Sequence, residues 1–168
     1  MNTQIPSLPP FVSGCLPEHY TLPNPDSSFP LLNTLDLPEG MNWAKLHDLR
    51  NHSNFTYGVA SLSIKSQTLE YVIHKHFPLL APAKVSWRNK TPIAAEFTEW
   101  TPESDFLRKS FILLEPDWLL LKPEPDFPEC KALLRDLDFW EFGQFSYFRP
   151  ENVGEIIFNN WDKKRSRF

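Results

Sequence analysis

The sequence predicts an α+β fold in which an antiparallel sheet, either a meander or a small barrel-like sheet, is accompanied by short helices. Successive short stretches alternate apolar and polar residues and are joined by short polar links, as antiparallel strands are. Helix-spaced apolar residues occur near both ends of this run, at about 41–50, 130–137 and 150–164. The chain has no strand–helix–strand alternation and no repeat of fixed period, which argues against a parallel sheet or a solenoid.

Residues 1–40 form a proline-rich segment that holds eight of the 17 prolines. Proline fixes φ and lacks an amide N–H, so this segment is unsuited to a helix interior or a central strand. Its many interleaved apolar residues distinguish it from an ordinary disordered linker, although a disordered tail is the alternative. We expect an extended arm that packs on its own domain or on a neighbour, with one short strand near 29–32. Residues 41–168 then form a single α+β domain.

The elements of that domain begin with a short helix near 41–50, because Trp43, Leu46 and Leu49 share one helical face. A series of strands follows. The stretches that predict them are 55–65, 68–77, 83–89, 92–100 and 110–122, the last as two short strands or as one strand bent at Pro116.

The last third of the chain predicts a helix, a strand and a second helix. Leu133, Leu134 and Leu137 form the apolar face of the helix near 130–137. The aromatic-rich stretch "FWEFGQFSYF", residues 139–148, predicts a strand with rings on both sides. Such a strand is either covered on both faces or turns one face to another molecule. Residues 150–164 predict a helix with proline in the first turn, glutamates early and lysines at its end.

The net charge of −4 is unevenly distributed along the chain. Residues 41–90 contain seven basic and two acidic residues, whereas residues 91–162 contain six basic and fifteen acidic ones. The C-terminal "KKRSRF" is basic again. A surface charged in this way can orient a subunit against a charged partner.

Several classes of protein are disfavoured. The apolar runs are too short to span a bilayer, and the N-terminus lacks the basic start and apolar block of a secretory signal. Cys15 and Cys130 fit no metal motif, so we expect two reduced thiols in a cytoplasmic protein.

No catalytic signature is present: the chain lacks GxSxG, a P-loop, GxGxxG and a Cys–His pattern. We therefore expect no catalytic residue, metal, cofactor or small-molecule substrate. His74 and His76 lie about 7 Å apart on one face of a strand, but no third ligand has diagnostic spacing, which favours exposed strand histidines. The acids at 96–105, Glu96 and Glu99 above all, leave a small hydrolase as an alternative.

Two kinds of contact are predicted instead. Basic residues around a tryptophan can hold a nucleic-acid backbone and stack a base, and a basic tail can reach phosphates. The candidate RNA contacts are Lys84, Trp87, Arg88, Lys90, Lys163, Lys164 and Arg165. Aromatic residues in excess of what a core needs are typical of protein interfaces. The candidate partner contacts are Phe11, Tyr20, Phe29, Phe142, Phe148 and Phe158.

The stretch "KVSWRNKTPIAAEFTEW…SFILLEPDW" resembles a small accessory family found beside type III-D CRISPR genes. Val85, Trp87 and Arg88 stand where that family has an "LLWR"-like strand, residues 93–97 match a second strand, and residues 112–114 match an apolar strand after an acidic link. The glycine that follows the family's apolar strand and the Asp-Gly and Trp of its earlier hairpin are missing here.

The resemblance implies a non-catalytic subunit of a multiprotein RNA-guided effector complex, in contact with other protein subunits and with single-stranded RNA. The first alternative is an immunity protein that neutralises a toxin by presenting its acidic 91–162 region to a basic partner. The second alternative is the small hydrolase named above. None of the three involves a membrane.

Overall fold

The computed structural model describes residues 5–14, 29–47, 57–89, 91–124 and 126–159. Several sequence-based expectations fall outside these ranges, including the last five residues of the C-terminal helix expected at 150–164. The named residues outside them are Cys15, Tyr20, Leu49, Lys90, Lys163, Lys164 and Arg165.

A six-stranded open sheet forms the centre of the fold. Its first five strands follow one another as an antiparallel meander in the order β1–β2–β3–β4–β5, and a short sixth strand pairs in parallel with the start of β4. The strands are β1 Met41–His47, β2 Tyr57–Ile64, β3 Gln67–His74, β4 Leu79–Arg88, β5 Thr91–Phe97 and β6 Ile112–Leu113. This confirms the α+β class and the meander, and the sheet is not closed into a barrel.

Tight turns set the register of the two central hairpins. Ile64 pairs with Gln67 across a two-residue turn in which Lys65 has φ 53°. Arg88 pairs with Thr91 across the next such turn, in which Asn89 has φ 49°. Asparagine tolerates this left-handed backbone better than most residues. Both hairpins therefore agree with the alternation and the polar links in the sequence.

Short helices cover the sheet. They are α1 Phe29–Asn33, a 3-10 helix Pro102–Lys109, α2 Pro116–Leu119, α3 Pro128–Leu134, α4 Phe139–Phe148 and α5 Val153–Ile157. Proline occupies the first turn of the 3-10 helix, α2 and α3, where its missing N–H leaves no helical hydrogen bond unmade. Helix α3 confirms the helix expected near 130–137. Helix α5 confirms a helix within 150–164, although it ends at Ile157.

Two hydrophobic cores lie on opposite faces of the sheet. On the first face, Val59 and Val72 pack with α2, α3, α5 and residues of the 5–14 segment. On the second face, Tyr71 and Ile73 pack with α1 and the 3-10 helix. Alternate residues of β3 thus enter different cores, and this explains why the central strands are apolar on both sides. The 5–14 segment of the proline-rich arm belongs to the first core, so it packs on its own domain.

In the region expected as a helix at 41–50, Met41–His47 form strand β1, so the prediction is wrong there, and residues 48–50 lie outside the described residues. Met41 to His47 pair with β2 from Ile64 to Val59, with an irregularity between Trp43 and Lys45. Trp43 packs against the second core, and its indole Nε1 donates a hydrogen bond to the Leu32 carbonyl at 3.1 Å. Tertiary pairing with β2 outweighs the helical spacing of a few apolar residues.

Two further expectations are wrong in the opposite direction, since helices replace predicted strands. Residues 29–32 lie in α1, and the second apolar stretch of 110–122 forms α2 rather than a strand. In α2, Pro116 begins the helix after an extended Glu115, and the amide of Leu120 donates to the Pro116 carbonyl. The first part of 110–122 does contain a strand, the two-residue β6. A third predicted strand, residues 139–148, is also a helix, and this helix carries the candidate site.

Candidate interaction surface

Residues 139–148, predicted as a strand, form helix α4. Asp138 caps its N-terminus: Oδ1 accepts from the amide of Trp140 at 2.8 Å, and Glu141 Oε2 accepts from the amide of Asp138 at 3.1 Å. This reciprocal arrangement is a capping box. Arg149 closes the helix at φ 49°, donating its amide to the Phe145 carbonyl at 2.8 Å. Strong local capping therefore overrides the strand preference of a run of aromatic residues.

Glu141 is fully buried and ties α4 to the N-terminal clasp, the name we give to residues 5–14. Its two carboxylate oxygens accept from the amide of Phe11 at 2.5 Å, the amide of Ser13 at 2.9 Å and the hydroxyl of Ser13 at 2.5 Å. With the Asp138 amide, this carboxylate has four donors, enough to offset the desolvation of its charge. The left-handed turn at Phe11, with φ 65°, aims two nearby amides at one acceptor.

Two more buried side chains, His74 and Asn159, bind residues 12 and 13 of the clasp. His74 Nε2 lies 2.7 Å from the Val12 carbonyl, while its Nδ1 accepts from the amides of His76 and Phe77 at 3.1 and 3.2 Å. His74 is therefore neutral with its proton on Nε2, and burial lowers its pKa to about 3. The Asn159 amide nitrogen donates to the Ser13 carbonyl at 2.7 Å. Three distant parts of the chain thus converge on the clasp.

The inner and outer faces of α4 differ sharply. On the inner face, Phe142 and Phe145 pack against the first core, with ring centroids 5.4 Å apart in an edge-to-face arrangement. On the outer face, Phe139 is 89% exposed, and Trp140 and Tyr147 are each 44% exposed. A ten-residue helix that is held rigidly from behind thus carries three exposed rings on its front.

The structure distributes the predicted partner contacts differently from the sequence-based expectation. Phe11 and Phe158 are buried in this chain, the latter with its ring centroid 6.1 Å from that of Phe97, so neither provides a surface for a partner in this conformation. Phe142 and Phe148 are half-buried on α4. Phe29 lies in α1, and Tyr20 is outside the described residues.

Sequence reasoning missed the most exposed rings, those of Phe139, Trp140 and Tyr147. A signal for them was present in "DFWE", in which a capping aspartate precedes a glutamate by three positions. Helical spacing applied from that cap places residues 139, 140, 143 and 147 on one face. The prediction of a strand at 139–148 instead distributes the rings over both faces.

The candidate RNA contacts that the structure describes lie on β4. Lys84, Trp87 and Arg88 are exposed, and Trp87 is exposed by 36% although its alternation with Val85 suggests burial. A break in the register between Ser86 and Trp87 disrupts that alternation. Lys84 lies directly opposite Glu96 on β5, which reduces the positive charge of the patch.

A cleft of about 520 Å³ opens where β3 and β4 separate beyond their short pairing. Its lining includes Lys84, Glu99 and a hydroxyl pair, Tyr71 and Ser104, whose oxygens are 2.6 Å apart. Burial raises the pKa of Tyr71, so its phenol is protonated at neutral pH. Of the two acids on which the hydrolase alternative rests, Glu99 lines this cleft and Glu96 faces Lys84 on the sheet.

The described residues also bear on metals and membranes. Within the described ranges, no group of three or more His, Cys, Asp or Glu side chains is arranged to hold a metal ion. His74 is buried rather than exposed, so the expectation of an exposed histidine pair is wrong, and both of its ring nitrogens are engaged in hydrogen bonds. Cys130 is a buried, free thiol. None of the helices formed by the described residues has the length and apolarity to cross a bilayer.

Comparison with known proteins does not assign the chain to a family. No protein-family model matches the chain, and no curated protein or solved structure matches it.

Proposed function

We propose that this chain is a non-catalytic subunit that acts by associating with other proteins through the outer face of α4. The observation that carries the proposal is the exposure of Phe139, Trp140 and Tyr147 on one helix face. Large aromatic side chains contribute most of the binding energy at many interfaces, because each buries a large apolar area when it is covered.

The rear of α4 supports this role. The N-terminal clasp holds the helix through three hydrogen bonds to Glu141, and a fourth, from the Asp138 amide, caps the start of the helix, so the exposed rings rest on a fixed backbone. A surface that is already ordered loses less conformational entropy on binding than a loop does. Anchoring a helix with a fully buried carboxylate and then leaving its rings in solvent is consistent with a preformed binding surface.

The kind of assembly is a finer part of the proposal. The resemblance described above favours an RNA-guided effector complex, in which the Lys84–Trp87–Arg88 face of β4 would meet RNA. An immunity protein would instead bind one basic protein. Affinity capture from the native host distinguishes them, because the first predicts several proteins together with RNA and the second predicts a single basic partner.

The test of the α4 surface compares two exposed rings. Trp140→Ser on α4 should abolish capture of the partner, and Phe127→Ser, which removes an exposed ring outside both α4 and the β4 face, serves as the control for the loss of a ring. Loss of one buried aromatic at an interface typically costs about 2 kcal/mol or more, or roughly thirtyfold in affinity. Equal capture by wild type and Trp140→Ser would refute the proposed surface.

A further inference from the structure

Gly143 occupies the middle of the exposed face of α4, between Phe139 and Tyr147. Each of those rings lies four residues from the glycine, and so one turn away from it along the same face. A Cβ added at Gly143 would have nothing within 4 Å. The Ser146 hydroxyl donates to the Gly143 carbonyl at 2.9 Å. The face therefore consists of rings at each end and bare backbone between them.

The fold itself does not require a glycine at this position. A glycine in the interior of a helix destabilises it by about 0.5–1 kcal/mol relative to alanine. By contrast, Gly154 in α5 has no room for a side chain, because a Cβ there would overlap the Phe97 ring. A residue that weakens α4 and relieves no internal clash is explained if another backbone approaches α4 closely at Gly143.

The charges at the two ends of α4 are complementary to each other. Asp138 lies at the amino end, and the exposed Arg149 lies at the carboxyl end. Among the described residues, Arg149 takes part in no salt bridge. In an antiparallel pair of α4 helices centred on Gly143, Arg149 of each copy would lie near Asp138 of the other. Such a pair has a two-fold axis at Gly143, which would place Phe139 of each copy against Tyr147 of the other. The two helix dipoles would be antiparallel, which is favourable.

We infer that the outer face of α4 binds a second copy of this chain, with two α4 helices crossing antiparallel at Gly143. This inference rests on the proposed function of α4 as an association surface and names its occupant. A ten-residue helix is about 15 Å long, so the buried area is below the roughly 800 Å² per partner of a standard interface. The dimer should therefore be weak, with a Kd on the order of micromolar.

Cysteine cross-linking of the full chain tests the two-fold geometry, in a Cys15→Ser background with oxidised glutathione as the oxidant. Gly143→Cys should cross-link to itself, because this residue meets its own copy at the axis. Phe139→Cys and Tyr147→Cys should each cross-link poorly alone but readily when mixed. Lys84→Cys, exposed on β4, gives the background rate of random collision. Self-linking of Gly143→Cys no faster than that background would overturn the inference.

Gly143→Ala should affect folding and dimerisation in opposite directions. It should raise the thermal midpoint by about 1–4 °C, because alanine favours the helix and meets no neighbour. It should also weaken self-association in sedimentation equilibrium by about tenfold, because the added methyl group separates the crossing backbones. A wild-type chain that stays monomeric at all concentrations would overturn the inference. A monomeric wild type would refute the dimer but not the proposed function, as long as Trp140→Ser abolishes capture of a different protein. Capture of that protein by Trp140→Ser as well as by wild type would refute the proposed function.

Discussion

The buried imidazole of His74 predicts a specific loss of stability in mild acid. In the folded chain its pKa is lowered to about 3, first by burial, with His76 contributing, while the hydrogen bond to the Val12 carbonyl acts in the opposite sense. The unfolded chain has the ordinary value near 6.5. Between these two values the unfolded state binds the additional proton, so the stability that neutral His74 provides is complete above about pH 6.5 and falls as pH decreases.

The magnitude follows from the pKa difference. Each pH unit inside the window costs about 1.4 kcal/mol, so going from pH 7.5 to pH 5 should lower the free energy of unfolding by about 2 kcal/mol through His74 alone. Urea unfolding at fixed ionic strength measures this free energy at each pH. His74→Gln keeps an N–H donor but cannot titrate, so its stability should lack this component.

The loss of stability in the wild type is compared with the loss in His74→Gln, because other groups of the chain also change protonation in acid. His76→Gln is the matched control: it removes the neighbouring imidazole but keeps the backbone amide that donates to His74 Nδ1, so the component from His74 should persist. If wild type and His74→Gln lose the same free energy between pH 7.5 and pH 5, the account of His74 as a neutral donor to the clasp is incorrect.

The remaining predictions concern the supports of α4 and α5. Glu141→Ala should destabilise the chain by about 3 kcal/mol or more in urea unfolding, since it removes the buried carboxylate that accepts from the Phe11 amide and from the Ser13 amide and hydroxyl. A loss under 1 kcal/mol would contradict the anchor. Gly154→Ala should cost about 1–3 kcal/mol by overlap with the Phe97 ring, and an unchanged thermal midpoint would contradict that packing. Deleting residues 1–14 should expose the first core to a hydrophobic dye, and a truncated chain as stable as wild type would show that the clasp is dispensable.

The sheet was the most predictable part of the fold. Strands β2 and β3 could be located because "KSQ" marks a tight turn between two alternating stretches, and residue spacing alone determines which face each side chain takes. Strand β1 could not, since Trp43 and Leu46 fit a helix equally well until pairing with β2 decides between them. Short segments of this kind depend on tertiary contacts that local sequence does not contain.

The candidate surface was only partly predictable, for a related reason. Aromatic density in 139–148 drew attention to that segment, but the strand prediction placed its rings on the wrong faces, because the segment is a helix. The burial of Glu141 depends on amides 128 and 130 positions earlier in the chain, and local sequence gives no sign of that contact. His74 is similar, because its acceptor Val12 lies 62 positions away.

Hydroxyl-radical footprinting tests the central claim most directly, since it reports the exposure of each ring in the intact protein. Trp140 and Tyr147 should be labelled readily in dilute purified chain and protected in a concentrated sample or in the native assembly. Trp87 on β4 provides the internal reference for the α4 surface at high concentration. In the concentrated purified chain, protection confined to the α4 rings is the predicted result. Labelling of Trp140 that stays the same under both conditions would contradict association through α4.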